Sequence, residues 1–439
     1  MFRAATAYVI LFAAVGAYSP FLQQYYQSLG LPLPAIGLLA AFTSAVVVGA
    51  APIWGAIHDH VPASRLLIPF AAMIATVGAV GLATAGATPL IVVAAGTWAV
   101  GMAGMGPMMD VRVLSMVGAD RTRYGWIRAC GSASFIVFAP IVGLLVDRGG
   151  MGALFWVMVP ALALVGASAI ALPPRHDSVR PSSLRKAPGT VLRHRPIALF
   201  LVGSLVAWTA ISAQTSFFSI YLGSLGAPGS VVGWTWAIAA TLEVPTMFLF
   251  PWLARRVGVE RLIVIGAAIT FLRQVANVVF TAPALLLACS LIQGAGYALI
   301  LIGGVTFVSL QAPKGTAATA QGLLSGVTAS LAAILGSGVG GQLAGLLTIR
   351  GLYFVSACLG ALGVVTIAVA VLPVARERAM LAARAGAAAA LPVPATAAPN
   401  AAPPAALPAA APNAAPPAAL PAAAPPAADA LAEATDRGA

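Results

Sequence analysis

What most constrains this chain is a series of apolar runs, each about as long as a bilayer is thick. A helix needs about 20 mostly apolar residues to cross the hydrocarbon core. Runs of that length lie at 4–28, 34–57, 66–86, 89–117, 124–147 and 151–172. Six more follow at 196–224, 229–253, 262–281, 284–311, 317–345 and 350–373. Gly and Pro mark the joints, as at Gly30-Leu31-Pro32, Pro228-Gly229 and Pro283. The pattern predicts an all-α membrane protein with twelve transmembrane helices. Composition excludes the soluble alternative: 60% of the 439 residues are hydrophobic and 8% are charged, against about 25% charged in a soluble domain. The first run follows directly on Met1-Phe2-Arg3 and is read as a span rather than a cleaved leader. Cys130, Cys289 and Cys358 each sit inside an apolar run without a CxxC spacing, so they read as packing residues.

The net charge of +12 points to membrane orientation and not to nucleic acid. With the N-terminus placed inside, the inner loops hold Arg65, Arg121, Arg123, Arg255, Arg256, Arg261 and Lys314. The outer loops hold only Arg148 and Arg350. Basic residues favour the cytosolic side, so both termini are expected in the cytosol of a bacterial inner membrane. A polar, basic connector is expected at 173–195. From about 386 the chain is Ala-Pro-rich, and AAPNAAPPAALPA occurs at 397 and again at 410. Such a segment lacks the large apolar side chains that offset ordering entropy. The expected organisation is a six-helix bundle at 1–172, the connector, a second six-helix bundle at 196–373 and a disordered cytosolic tail at 374–439.

The halves match at a spacing near 196 residues. Trp54-Gly55-Ala56-Ile57 with Arg65-Leu66-Leu67-Ile68 corresponds to Trp252-Leu253-Ala254-Arg255 with Arg261-Leu262-Ile263-Val264. The fifth span of each half carries small residues, Gly131, Ser132, Ser134 and Gly143 in one and Ser325, Gly326, Gly336 and Gly340 in the other. Small residues let helices approach closely. Two related six-helix bundles around a central site are a recurrent transporter design.

Ionisable residues inside spans are costly, and each needs a reason. Asp110 and Arg112 lie on the fourth span, Arg128 on the fifth, Glu243 on the eighth and Arg273 on the ninth. Asp110 and Arg128 lie at similar depth by helix rise. They form either a salt bridge closing the cytosolic side or part of a proton path. Arg112 lies nearer the surface, where its head can snorkel. Glu243 and Arg273 match in depth near the midplane. One reading is a permanent structural pair. The other is a central site in which Glu243 exchanges a proton and Arg273 holds an anionic substrate through its planar fork. Asn277 is one turn beyond Arg273 on the same face. Further candidates to line a path are Tyr18, Gln23 and Tyr26 on the first span and Trp208, Gln214, Phe217, Phe218 and Tyr221 on the seventh. Trp234, Trp236, Gln293 and Tyr297 join them. Aromatics near span ends also serve as interfacial belts. Tyr18-Ser19-Pro20 interrupts the first span, and broken helices often face cavities.

The segment Tyr124-Gly125-Trp126-Ile127-Arg128-Ala129-Cys130-Gly131-Ser132-Ala133-Ser134-Phe135 resembles the YGxxRxxGSxxF segment of the phenylpropionate permease-like branch of the major facilitator superfamily. That branch is related to the lactose and nucleoside proton symporters. Gly55-Ala56-Ile57-His58-Asp59 with Arg65 resembles a degenerate form of the superfamily loop signature. The resemblance covers most of 1–373 and includes Asp110, Tyr221-Leu222, Glu243-Val244 and Arg273. Arg112 and the Ala-Pro tail depart from the pattern. The resemblance implies the major facilitator fold and proton-coupled symport of an organic carboxylate, an aromatic one included. By their charge and depth, Glu243 and Asp110 are the candidate proton-coupling residues. Arg273, Asn277, Tyr18, Gln214, Phe217, Tyr221, Gln293 and Tyr297 become substrate candidates, and Asp59, Arg65, Asp110 and Arg128 gate candidates. A proton-antiport efflux carrier and a sensor signalling through the tail are the alternatives. The expected partners are a small-molecule substrate, protons and the lipid bilayer, with the protein a monomer. No HExxH or GxxxxGK[ST] motif occurs, and His58, His60, His176 and His194 fall in loops. An enzyme, a nucleotide-driven pump, a metal and a cofactor are therefore not expected.

Overall fold

The computed structural model describes residues 2–60, 64–117, 121–172, 187–313 and 315–390. Most of the connector, and the tail beyond 390, lie outside the described residues, as does the side chain of Asp59. Helix α1 runs Phe2–Tyr18 and resumes as Leu22–Ser28. Pro20 has no N–H to continue the ladder, so the interruption falls where the sequence places it. Then come α2 (Leu33–His60), α3 (Leu67–Thr84), α4 (Thr88–Val117), α5 (Arg121–Gly149) and α6 (Leu154–Ile170). The second half begins with α7 (Arg195–Ser224), α8 (Gly229–Val257), α9 (Val259–Val279) and α10 (Pro283–Gln311).

The stretch Ala317–Leu381 is 65 residues long. At about 1.5 Å per residue it would span a bilayer three times over. It breaks at Thr348, whose φ is +74°. We therefore divide it into α11 (317–347) and α12 (349–381), which makes twelve spans of the eleven long apolar stretches among the described residues. Within α11, Gly326–Leu331 forms a π-helical turn. Leu38, Val77, Val93, Phe248 and Leu346 point outward and are exposed, the surface a hydrocarbon solvent would cover.

In the first half α1 packs on α5 and α6, α3 on α4 and α6, and α2 on α4. In the second half α10 packs on both α8 and α9. The halves meet along two exchanged pairs. The fifth helix of the first half, α5, packs on the second helix of the other, α8. Likewise α2 meets α11, where Gly37 abuts the backbone of Ser337 and Gly341. Such pairs are what a twofold relation between the halves requires. Glycine makes both crossings possible. A Cβ on Gly143 would lie 2.3 Å from the carbonyl oxygen of Gly229, and one on Gly37 would lie 2.5 Å from that of Ser337. These contacts sit at the face opposite the basic loops, since Gly229 opens α8 and Gly37 lies in the first turns of α2.

Two expectations are corrected. The segment from 374, expected to be a disordered tail, continues the last helix as far as Ala390, and Arg378 on it meets Glu260 at 2.7 Å. Arg112 does not reach the surface: it is fully buried, and its Nη1 donates to the carbonyl oxygen of Ala169 at 3.1 Å. The fourth helix packs tightly against its own bundle at that level, so the side chain turns inward.

Candidate functional site

A cavity of about 580 Å³ lies between the two halves. It is large enough for a small organic solute, since ligand pockets run from about 300 to 1,000 Å³. The first half contributes the broken region of α1, with Tyr18, Ser19, Gln23 and Tyr26. It also gives Thr43 and Ser44 of α2, Trp98 of α4, and Arg128 and Ser132 of α5. The second half contributes Trp208 and Ser216 of α7, Trp236 and Glu243 of α8, and Gln293 and Tyr297 of α10. Ser337 of α11 closes the wall just beyond the π-helical turn, a kind of distortion that recurs at functional sites.

Two charges face this space, one from each half. Arg128 is held by aromatic faces, its guanidinium carbon 4.2 Å from the ring centre of Phe12 and 5.9 Å from that of Tyr8. Glu243 lies across the cavity. Arg128 is the cation that acts on it electrostatically, and Tyr297 lies within electrostatic reach of its carboxylate. The place of Glu243 is set by Gly294, where α10 crosses α8. A Cβ there would lie 1.9 Å from the carbonyl oxygen of Ala239. The aromatic walls interlock: Tyr18 meets Trp98 edge-on at 4.8 Å, and Trp208 meets Tyr297 at 5.1 Å.

The expected pairings of charge are not those observed. No ion pair joins Asp110 to Arg128 among the described residues. The Asp110 carboxylate instead accepts from the hydroxyl of Tyr8 and, at 3.1 Å, from that of Tyr124. Arg128 approaches the same Tyr8 ring, 5.9 Å from its centre, but its guanidinium is taken up by the aromatic faces of Tyr8 and Phe12 and not by the carboxylate. Nor does Glu243 pair with Arg273. Arg273 is 5% exposed, donates to Ser290 Oγ at 3.3 Å and stacks 4.3 Å from the ring centre of Phe218. It borders a small recess beside the cavity.

The candidate substrate residues divide in the same way. Tyr18, Gln293 and Tyr297 line the cavity. Gln214 borders the recess, and its Oε1 accepts from Asn277 Nδ2 at 2.8 Å, tying α7 to α9. Asn277 and Phe217 are fully buried in the second half. Tyr221 donates to the carbonyl oxygen of Phe280 at 3.3 Å and packs edge-on against Tyr353. These residues hold helices together and do not face the cavity. Of the gate candidates, Arg65 is exposed at the start of α3. Gln23, Tyr26, Trp208 and Trp236, read from the sequence as path-lining, do line the cavity, while Trp234 points outward and is half exposed. The reading missed Trp98 and the facing of Arg128 towards Glu243. A large aromatic near mid-span was the available signal for Trp98.

The sequence model of the MFS_1 like family matches residues 1–354. A protein described as "Maltose permease" from Geobacillus stearothermophilus is 29% identical over 339 residues, covering 76% of this chain and 86% of its own. An "Uncharacterized transporter YwbF" of Bacillus subtilis (strain 168) is 22% identical over 318 residues, covering 71% of this chain and 79% of its own. Among solved structures, nucleoside transporter NupG superimposes with a TM-score of 0.73 at 15% identity, covering 84% of this chain and 98% of its own. A bacterial homologue of the iron transporter ferroportin, in an inward-facing state, gives 0.66 at 15% identity, covering 83% and 97%.

Proposed function

The chain belongs to the MFS_1 like family of major facilitator secondary transporters, and from that premise we propose that it takes up a small ring-bearing organic solute together with protons. The observation that carries the reading is the facing of Glu243 and Arg128 across the central cavity, one from each half. When Glu243 is ionised, its attraction to Arg128 ties the two halves across the site. Taking up a proton removes that attraction and lets the halves rock, which couples proton binding to alternating access. The aromatic lining of Tyr18, Trp98, Trp208 and Trp236 offers flat apolar faces, and Gln23, Thr43 and Gln293 offer hydrogen bonds. That mixture suits a sugar-like ring, in keeping with the relative described as a maltose permease.

A second substrate reading rests on Arg128. Once Glu243 is protonated, the guanidinium is free to take a carboxylate, which keeps organic acids in contention. In this reading Arg273 does not touch the solute. The basic loops face the cytosol of a bacterial inner membrane, which places both termini inside. Bundles at 1–172 and 196–373 then rock about the site as a monomer, with Asp59 and Arg65 at the cytosolic gate.

The test is uptake into proteoliposomes with an imposed pH gradient, using labelled disaccharides, nucleosides and aromatic carboxylates. Glu243→Gln should retain binding and exchange while losing gradient-driven accumulation. Accumulation at the wild-type level would remove Glu243 from coupling. Arg128→Gln should abolish carboxylate uptake but only weaken sugar uptake, which separates the two substrate readings. Right-side-out against inverted vesicles separates import from proton-antiport efflux.

A further inference from the structure

The recess beside the central cavity holds a buried cation with no anion to match it. Arg273 is 5% exposed, and its Nε has no hydrogen-bond partner. Among the described residues no carboxylate pairs with it. The ionisable groups that act on it are Tyr353 and Cys289, a phenol and a thiol. Ser290 accepts from Nη2, and Phe218 offers its ring face. One neutral acceptor and one cation–π contact offset only part of the cost of holding a full charge near the middle of a bilayer. Arginine does not escape by losing its proton.

The space beside Arg273 has a definite size. It measures about 40 Å³, where about 10–15 Å³ admits one water. It therefore takes about three or four water-sized particles. Its other polar walls come from Gln214, Thr215, Thr235, Thr270, Gln274 and Gln293, with no Asp or Glu among them. Gln293 borders both the recess and the central cavity, so the recess is reached from the transport path.

We infer that this recess takes up a small inorganic anion of the chloride class, bound by the Arg273 guanidinium with the Gln293 amide as a second donor. The anion neutralises the buried charge within the second half. It acts as a structural counter-ion beside the transport site and not as transported solute. The inference stands whether or not Glu243 couples to protons, because it rests on a separate cation.

The experiment is thermal unfolding of the purified full-length protein at constant ionic strength, with sodium gluconate replaced stepwise by chloride, bromide or benzoate. A saturable rise in Tm with chloride and bromide is expected. It should be lost in Arg273→Gln and kept in Arg128→Gln. In Gln293→Leu, a variant that keeps the cation, the chloride midpoint should rise on the order of tenfold, the worth of one hydrogen bond to a charged group. Identical melting in chloride and gluconate would overturn the inference, as would a chloride response that survives Arg273→Gln or vanishes in Arg128→Gln. A saturable response to benzoate without one to chloride would overturn it in favour of a carboxylate site. Should Arg273→Gln fail to fold, an unshifted midpoint in Gln293→Leu is sufficient to reject it.

Discussion

Gly233 gives a sharp test of how the halves close on the face opposite the basic loops. An added Cβ there would lie 2.3 Å from the carbonyl oxygen of Ala139 and 2.8 Å from Pro140 Cα. Real Cβ contacts essentially never fall below 3.0 Å, so the gap must open by at least 3.0 − 2.3 = 0.7 Å. The obstructing atoms are the backbone of α5, which cannot rotate away as a side chain would. Relief requires α5 and α8 to separate. Overpacking of this kind costs about 1–3 kcal/mol. In alternating access the cost falls on the arrangement in which α5 and α8 touch. At about 1.4 kcal/mol per decade, Gly233→Ala should shift the balance between arrangements roughly 5- to 150-fold. Ser216 lines the cavity, so Ser216→Cys reports access once Cys130, Cys289 and Cys358 have been replaced. A membrane-impermeant thiol reagent applied to the face opposite the basic loops should label the Gly233→Ala variant faster by that factor. Labelling from the basic face should slow. Unchanged rates from both faces, in a variant that inserts and binds normally, would refute the argument that this crossing seals that side.

Asp147 ties the same face more lightly, accepting from the backbone N–H of Gly229 at 2.5 Å and of Ser230 at 3.0 Å. The side chain is exposed, so Asp147→Ala should cost about 0.5–1.5 kcal/mol and raise the same labelling rate about two- to tenfold; no change would mean that the cap adds nothing to closure. Glu260 is 5% exposed and meets Arg378 Nη1 at 2.7 Å. Arg378→Met strands a buried carboxylate and should lower thermal stability by about 1–3 kcal/mol, more than Glu260→Gln does; equal losses in the two variants would contradict that asymmetry. Tyr8→Phe removes one of two donors to Asp110 and should destabilise by about 1–2 kcal/mol in the same assay. A neutral result would show that the hydroxyl of Tyr124 suffices.

Depth along a helix was legible in the sequence, and direction around it was not. Rise per residue put Asp110 level with Arg128 and Glu243 level with Arg273, and depth alone suggested both pairings. Rotation then sent Asp110 towards Tyr8 and Tyr124, Arg128 towards the cavity and Arg273 into the second half. A soluble helix advertises its buried face by its apolar stripe. A span apolar on every side carries no such stripe, so the sequence cannot say which face meets water. Gln214, Phe217 and Tyr221 share one face of α7 by spacing, and that face turns into packing against α9 and its neighbours.

The sequence by itself determined the twelve spans, the break at Pro20 and the basic face, because bilayer thickness, the missing proline N–H and loop charge act locally along the chain. It also carried the glycines that let α5 meet α8 and α2 meet α11. Only the tertiary structure decided that Arg128 faces Glu243 while Arg273, among the described residues, is left without a carboxylate. Those relations depend on how helices rotate and cross, and that is settled by packing between residues far apart in the chain.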